Sequence, residues 1–367
     1  MYSRMLKCVA TLGVVAMAAG LASPRTRVAA AVPEEPLALQ SVGPLAFSPD
    51  GVLFAADPRA AMIYALDLGA QANGGQAGAA DVASIDQKIA ALLGTEASGI
   101  AVTDLAIHPK THNAYISVMR GAGADAKPAL LRVDGAGKIE PIAIDKVNFT
   151  KMALTNAPAP GGDGRRSPRQ DSITDMAFVN GRLIVAGLSN EEFASKLRSF
   201  AYPFTTADPG TSVEIFHGSH GQLETRAPVY TFIPYTIDNK PYIIASYTCT
   251  PLVKFPMDSL KGSKIVGTTI AELGAGNRPL DMVLYKKDGR QFLLLSNNSR
   301  GVMKIPTADF GAAQAITEPV KTGTAGIKYE TISSMKGVEQ MDLLDAQHSI
   351  VLERAGGALN LSAVALP

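Results

Sequence analysis

One short pattern recurs six times along this chain, and it constrains the fold more than any other feature. Apolar runs open at "VGPLAF" (Val42), "VTDLAI" (Val102), "ITDMAF" (Ile173), "APVYTF" (Ala227), "PLDMVL" (Pro279) and "VEQMDL" (Val338). A polar turn follows each: "SPDG", "HPKTH", "VNG", "TIDNK", "KKDG" or "LDAQ". Then comes a second apolar run, from "VLFAAD" and "AYISVM" through "RLIVAG", "YIIASY" and "FLLLSN" to "SIVLER". The third run is amphipathic: "MIYALD", "ALLRVD", "SVEIFH", "LVKFPM", "VMKIPT" and "LNLSAV". Period-two runs joined by polar turns are hairpins.

Anchors recurring every 50 to 70 residues or so suit a blade of three hairpin-linked strands plus a more variable fourth. Six such blades close into a ring, which makes the chain an all-β, six-bladed β-propeller. Seven blades is the alternative if the stretch between Lys138 and Ser172 hides one more. The last unit stops after its third strand. The simplest closure supplies the missing strand from "EPLALQSV" (Glu35 to Val42), joining the two ends of the chain in one blade and removing exposed edges. Two insertions read as short helices: "SIDQKIAALLG", with Ser84 and Gln87 as a capping box and Gly94 as terminator, and "SNEEFASKLRSF", with Ser189 and Glu192 as its box.

The first 31 residues are expected to be a signal peptide. Arg4 and Lys7 precede the apolar "CVATLGVVAMAAGL", about 14 residues long and too short for a membrane span, and Ala29-Ala30-Ala31 offers a cleavage site before Val32. Residues 32–367 then form a single exported propeller domain, periplasmic or extracellular, with no membrane span. Removal of Cys8 leaves Cys249 without an intrachain partner, so the core must hold the fold unaided. With 34 basic and 33 acidic residues, no nucleic-acid partner is indicated. The absence of tryptophan weighs against the sugar-binding and quinone-cofactor propellers that lean on that ring.

Function in such a ring gathers at the channel mouth, where loops on a rigid scaffold converge. Asp104, Asp175 and Asp281 align at the head of the innermost strand, with Pro44, Val229 and Gln340 in the other units. Arg226 and Arg278 stand just before that position, and Asn297 lies in a loop on the same side. These six are the candidate ligand-binding residues. The three carboxylates could recruit one divalent cation, calcium, zinc or magnesium, or each could tether backbone amides. Asn298, Asp57 and Arg59 share the loop position of Asn297, and Arg165, Arg166 and Arg169 form a basic loop at the rim. His217 and His220 in "HGSHG" read as an outer hairpin turn lacking a third ligand. His108, His112 and His348 sit at other turns. Cys249, with no histidine beside it in the sequence, reads as inert.

"GPLAFSPDGVLFAADPRAAMIYALD" resembles a blade of the NHL, YVTN and gluconolactonase-like (SMP-30-type) propeller superfamily, and the other units fit more loosely. The gluconolactonase-like enzymes hold a divalent cation with a Glu of the first blade plus Asn and Asp from others. The resemblance implies Asp281 as an Asp ligand and Asn297 near the Asn ligand, but Gly43 stands where the Glu would be. The expected function is therefore a binding or scaffold module taking a protein or small-molecule partner at the mouth. A metal-dependent lactonase is the alternative, and a partner subunit of a larger exported enzyme is a third reading.

Overall fold

Six sheets carry the six repeated units, with every pairing inside a blade antiparallel. They are seen in a computed structural model that describes residues 36–161, 167–321 and 323–367. The expected signal peptide, Arg165 and Arg166 lie outside those residues. Among the described residues, no helix is long and apolar enough to cross a membrane.

Local chemistry explains the hairpins. "VNG", "TIDNK" and "KKDG" place Asn180 and Gly181, Asp238 and Asn239, and Asp288 and Gly289 at positive φ. That is the paired left-handed conformation of a two-residue turn matching strand twist. The middle of each second strand is mostly apolar and buried because neighbouring blades cover both its faces. Leu53–Asp57 is buried at every position.

In chain order, the first blade comprises Leu45–Phe47, Leu53–Asp57 and Met62–Asp67. Its fourth strand, Asn148–Ala153, arrives only after the whole second blade (Ile100–Ile107, Ala114–Arg120, Lys127–Val133, Ile139–Pro141) has been laid down. Among its described residues, the stretch 138–172 thus supplies two outer strands rather than a seventh blade. The third blade is Asp175–Val179, Arg182–Leu188, Ser195–Ala201 and Thr211–His217. The fourth is Thr231–Ile237, Lys240–Ser246, Pro251–Pro256 and Thr268–Glu272. The fifth is Pro279–Lys287, Arg290–Asn297, Gly301–Pro306 and Glu330–Ile332. The sixth has three strands, Val338–Leu343, His348–Ala355 and Ala358–Ala365.

The ring does not follow chain order. Contacts between innermost strands link the first blade to the second and third, the third to the fourth, the fourth to the fifth, the fifth to the sixth, and the sixth to the second. The second blade therefore sits behind the first, and the chain turns back past the first to build the other four. Six apolar clusters fill the six gaps. One packs Ile116, Leu131 and Val133 of the second blade against Ile350, Leu352 and Leu361 of the sixth. Each Leu or Ile so buried contributes about 1.5–3 kcal/mol, enough in sum to hold a fold without disulfides.

Two expectations about closure and inserts fail. The segment before the first blade is not a strand of the sixth. Its amides are taken instead by Asp57, whose carboxylate accepts from Gln40 N (2.7 Å), Ser41 N (3.0 Å) and Ser41 Oγ (2.6 Å). The open edge of the sixth blade is covered by the insertion 81–93: Val82 and Leu361 exchange backbone hydrogen bonds of 2.8 and 3.0 Å. Asp81 Oδ1 accepts from Ala363 N at 2.7 Å, and the helix Ile85–Leu93 packs on the same strand. Gly94 ends that helix at φ +68 as expected, but Ser84 makes no side-chain cap. Its own N–H donates to Asn360 Oδ1 at 2.9 Å.

"SNEEFASKLRSF" is not a helix. Ser195–Ala201 is the third strand of its blade, and Lys196 and Arg198 are buried within it. Glu191, next to the expected box residue Glu192, pairs with Lys196 at 2.6 Å.

Candidate functional site

The inner strands of the second and fifth blades each carry a β-bulge, between Val102 and Asp104 and between Pro279 and Asp281. A bulge re-aims the next side chain, and here both carboxylates reach sideways to the neighbouring blade. Asp104 Oδ2 accepts from Leu45 N of the first blade at 2.6 Å, and Asp281 Oδ2 from Met341 N of the sixth at 2.7 Å. Asp175 does the same to Phe232 N at 2.7 Å. Each also accepts its own following amide through Oδ1, at 2.8 Å for Asp104 and 2.7 Å for the other two.

A fourth member went unseen in the sequence. Asp342 Oδ2 accepts from Ile107 N at 2.7 Å, across the seam between sixth and second blades. It stands two residues beyond the aligned column, which holds Gln340 after a bulge of its own. With its amide nitrogen turned toward them, Gln340 donates to Asp281 Oδ2 (3.1 Å) and Asp104 Oδ1 (2.9 Å). The signal was the "MDL" of "VEQMDL", matching "TDL" and "LDM" once the two-residue offset is allowed.

Burial raises the pKa of all four carboxyls, pushing Asp175 up to about 7 and Asp342 to about 6. Asp104 and Asp281 are raised well above the ordinary carboxylate range by burial and by the neighbouring carboxylates. The four line a channel cavity of about 420 Å³, walled further along by Phe47, Phe178, Pro109 and Pro234. Both oxygens of each carboxylate already accept an N–H, so their first use is to bind blade to blade.

Asn297 is not with them. It is buried, its Nδ2 donating to Thr250 Oγ1 (3.0 Å) and Asn277 Oδ1 (2.9 Å), and its Oδ1 accepting from Ser299 N and Arg300 N. With no acid at Gly43 and Asn297 committed elsewhere, these residues do not assemble the cation set of the gluconolactonase-like enzymes.

The end of the ring where the inner strands begin presents a larger cleft of about 800 Å³ between the fifth and sixth blades. Arg278, Arg300, Lys336 and Arg354 line it, with Asn298, Ser299 and Ser333 among its polar atoms. Arg354 is paired with Glu339 at 2.7 Å. Arg278 lies 5.7 Å over the Tyr230 ring. Arg300 donates weakly to Tyr329 Oη (3.5 Å), while its Nε is buried without a hydrogen-bond partner. Gly274 makes room for that guanidinium, because a Cβ there would lie 2.1 Å from Nη2. The exposed Arg226 lies outside this cleft, its backbone N–H bonded to Glu224 Oε1 at 2.7 Å. Arg59 and Arg169 are spent on backbone carbonyls, Arg59 Nη2 on Gly123 O (2.6 Å) and Arg169 Nη1 on Pro158 O (2.8 Å).

"HGSHG" lies elsewhere than its alignment indicated. Because Ser195–Ala201 is a strand, Thr211–His217 is the fourth strand of its blade, not the third. It pairs with the mouth end of Ser195–Ala201 through Lys196–Ser212 and continues past it. The turn therefore rises to the mouth side, where His220 Nε2 comes within 3.7 Å of Cys249 Sγ. Cys249 has a histidine neighbour after all. Burial and His220 hold the His217 imidazole down to about 4, so that ring is neutral at neutral pH.

No family model matches this chain, and no curated protein matches it. Among solved structures, a chain in one titled "Crystal Structure of Mitotic Checkpoint Complex" is similar over 100% of this chain and 99% of its own. The identity is 10% and the TM-score 0.38, too distant to bear on function.

Proposed function

We propose that this protein is an exported β-propeller binding module, of the broad NHL and YVTN-like kind, that seats an anionic group of its ligand or protein partner in the mouth cleft. The observation that carries this reading is the Arg300 guanidinium, half-buried in a cleft of about 800 Å³ with its Nε unpaired and Arg278 and Lys336 on the same walls. A buried donor without a partner is costly, and a carboxylate or phosphate oxygen would satisfy it. A lactonase of the gluconolactonase-like type would need the channel carboxylates for a cation, whereas Asp104, Asp175 and Asp281 are engaged by main-chain donors.

Calorimetric titration with inorganic phosphate and with citrate tests the cleft. Saturable, salt-sensitive binding at one site is expected. Arg300→Gln should weaken it about 10- to 100-fold, in line with loss of a charge-assisted hydrogen bond. No saturable binding of either anion, or binding unchanged in Arg300→Gln, overturns the assignment. Sequencing the N-terminus of protein recovered from the extracytoplasmic fraction tests export, with Val32 the expected first residue.

A further inference from the structure

His217, His220 and Cys249 converge at a place that neither the channel nor the arginine cleft uses. Two backbone devices bring them together. The reversal after Thr211–His217 is closed by Gly221, at φ +65, whose N–H donates to His217 O at 2.8 Å. Glu272, fully buried in the fourth blade, braces it from beneath: Oε1 accepts Gly218 N at 2.6 Å and Oε2 accepts Ser219 Oγ at 2.8 Å. Opposite, Cys249 and Thr250 both hold positive φ, +62 and +49. Unlike Asn, Asp or Gly, a cysteine followed by a β-branched threonine is strained in that region, and such strain persists only where the surroundings enforce it. Here Cys249 N–H is held by Asn277 O at 2.7 Å and Thr250 N–H by Tyr247 O at 2.9 Å.

The ligand-type atoms of the three side chains all lie within 4.8 Å of one another, and Cys249 Sγ is 3.7 Å from His220 Nε2. Around a tetrahedral ion with bonds of about 2.0 Å to nitrogen and 2.3 Å to sulfur, adjacent donors stand about 3.3–3.6 Å apart. The Cys249–His220 pair is therefore close to that spacing before any ion draws it in, with His217 within 4.8 Å of both. His217 supplies a second, independent observation. It is only 2% exposed, yet neither ring nitrogen has a hydrogen-bond partner. Buried polar atoms are seldom left so. Glu224 and Glu272 lie close enough to act electrostatically on the two histidines, with a sign that favours a cation.

We infer that His217, His220 and Cys249 bind one thiophilic transition-metal ion, Zn(II) or Cu(I), as a three-ligand set. One thiolate and two imidazoles suit these ions and not calcium or magnesium, which take oxygen ligands. His220 is exposed and Cys249 partly so, which leaves one side of the ion accessible from the mouth for water or a donor from a partner. The thiol proton is released as the ion binds, so uptake strengthens as pH rises. The assignment stands independently of the arginine cleft.

The test is metal titration of the full protein after stripping with a chelator and reduction of the thiol. Co(II) serves as spectroscopic probe, and Zn(II) and Cu(I) are measured in competition with chromophoric chelators. One equivalent of Co(II) should give tetrahedral visible bands and a thiolate-to-cobalt charge-transfer band. Cys249→Ser should abolish that band, and Cys249→Ser and His220→Asn should each weaken Zn(II) or Cu(I) binding by at least about 100-fold, beyond the losses typical of residues behind the ligands. Those positions are used because His217→Asn could fail to fold; unchanged far-UV circular dichroism without metal shows that the two variants have folded. A preference for either ion supports the site and names its occupant. Absence of stoichiometric uptake of both ions, or uptake at unchanged affinity in the two variants, overturns it.

Discussion

Replacing Asp175 by alanine should destabilise the protein more in mild acid than in mild base, the reverse of what removing an ordinary paired carboxylate does. Asp175 has a folded pKa of about 7 against an ordinary 3.8, with burial the leading cause. The folded state therefore holds the proton over a range where the unfolded chain has released it. The stabilisation this brings is full below about pH 4 and is lost as pH rises through about 7. Between about pH 5 and pH 8, the change for one such group is at most about 2.6 kcal/mol. Asp175 is only half-buried at the channel wall, so about 1–2 kcal/mol is the realistic share. The lost hydrogen bonds to Met176 N and Phe232 N add a penalty at both pH values, about 1–3 kcal/mol for each amide left without a partner. Urea denaturation followed by far-UV circular dichroism, which suits a chain without tryptophan, gives the free energies of wild type and Asp175→Ala at both pH values. A loss equal at the two, or greater at the higher, would refute the account of a carboxyl protonated by burial.

Two further outcomes follow from ties described above. Asp57→Ala strands the amides of Gln40, Ser41 and Ala60 together with the Ser41 hydroxyl, and should cost about 3–5 kcal/mol. Limited proteolysis should then cut within residues 36–42 before any other described segment. Val82→Pro removes the N–H that bonds Leu361 O and uncovers the outer strand of the sixth blade. A loss of about 1–3 kcal/mol in urea and a rise in light scattering on warming are expected.

The repeated hairpins were legible because the chemistry that makes them is local. Asn180-Gly181 and Asp288-Gly289 specify their turns whatever lies around them. The ring order was not legible, since nothing in "NFTKMA" says that it pairs with Met62–Asp67 rather than with the strand just before it. "SNEEFASKLRSF" misled for a physical reason: Lys196 and Arg198 have the look of a solvated helix face, but both are buried in the sheet, Lys196 beside Glu191. That single misassigned strand shifted the count in its blade and turned "HGSHG" away from the mouth. The proximity of Cys249 to His220 was lost with it. The structure places Asp104, Asp175 and Asp281 together along the channel wall. Their reach into the next blade, and the membership of Asp342, depended on bulges and an offset that no single unit reveals.

The position of the second blade beside the sixth has a kinetic consequence. Ser84 meets Asn360, and Ile107 meets Asp342, across 276 and 235 residues of chain. Neither contact can form until nearly the whole polypeptide has emerged from the ribosome. Among the described residues, no strand is exchanged between the chain ends to template that seam, so its ordering entropy is offset only when both blades already exist. Such high contact order slows folding. Until the seam shuts, a nearly complete arc presents the apolar flank of the second blade, Ile116, Leu131 and Val133, without the sixth-blade residues Ile350, Leu352 and Leu361 that cover it in the finished ring. Those three residues are where a chaperone or a misfolding neighbour would find the unfinished molecule.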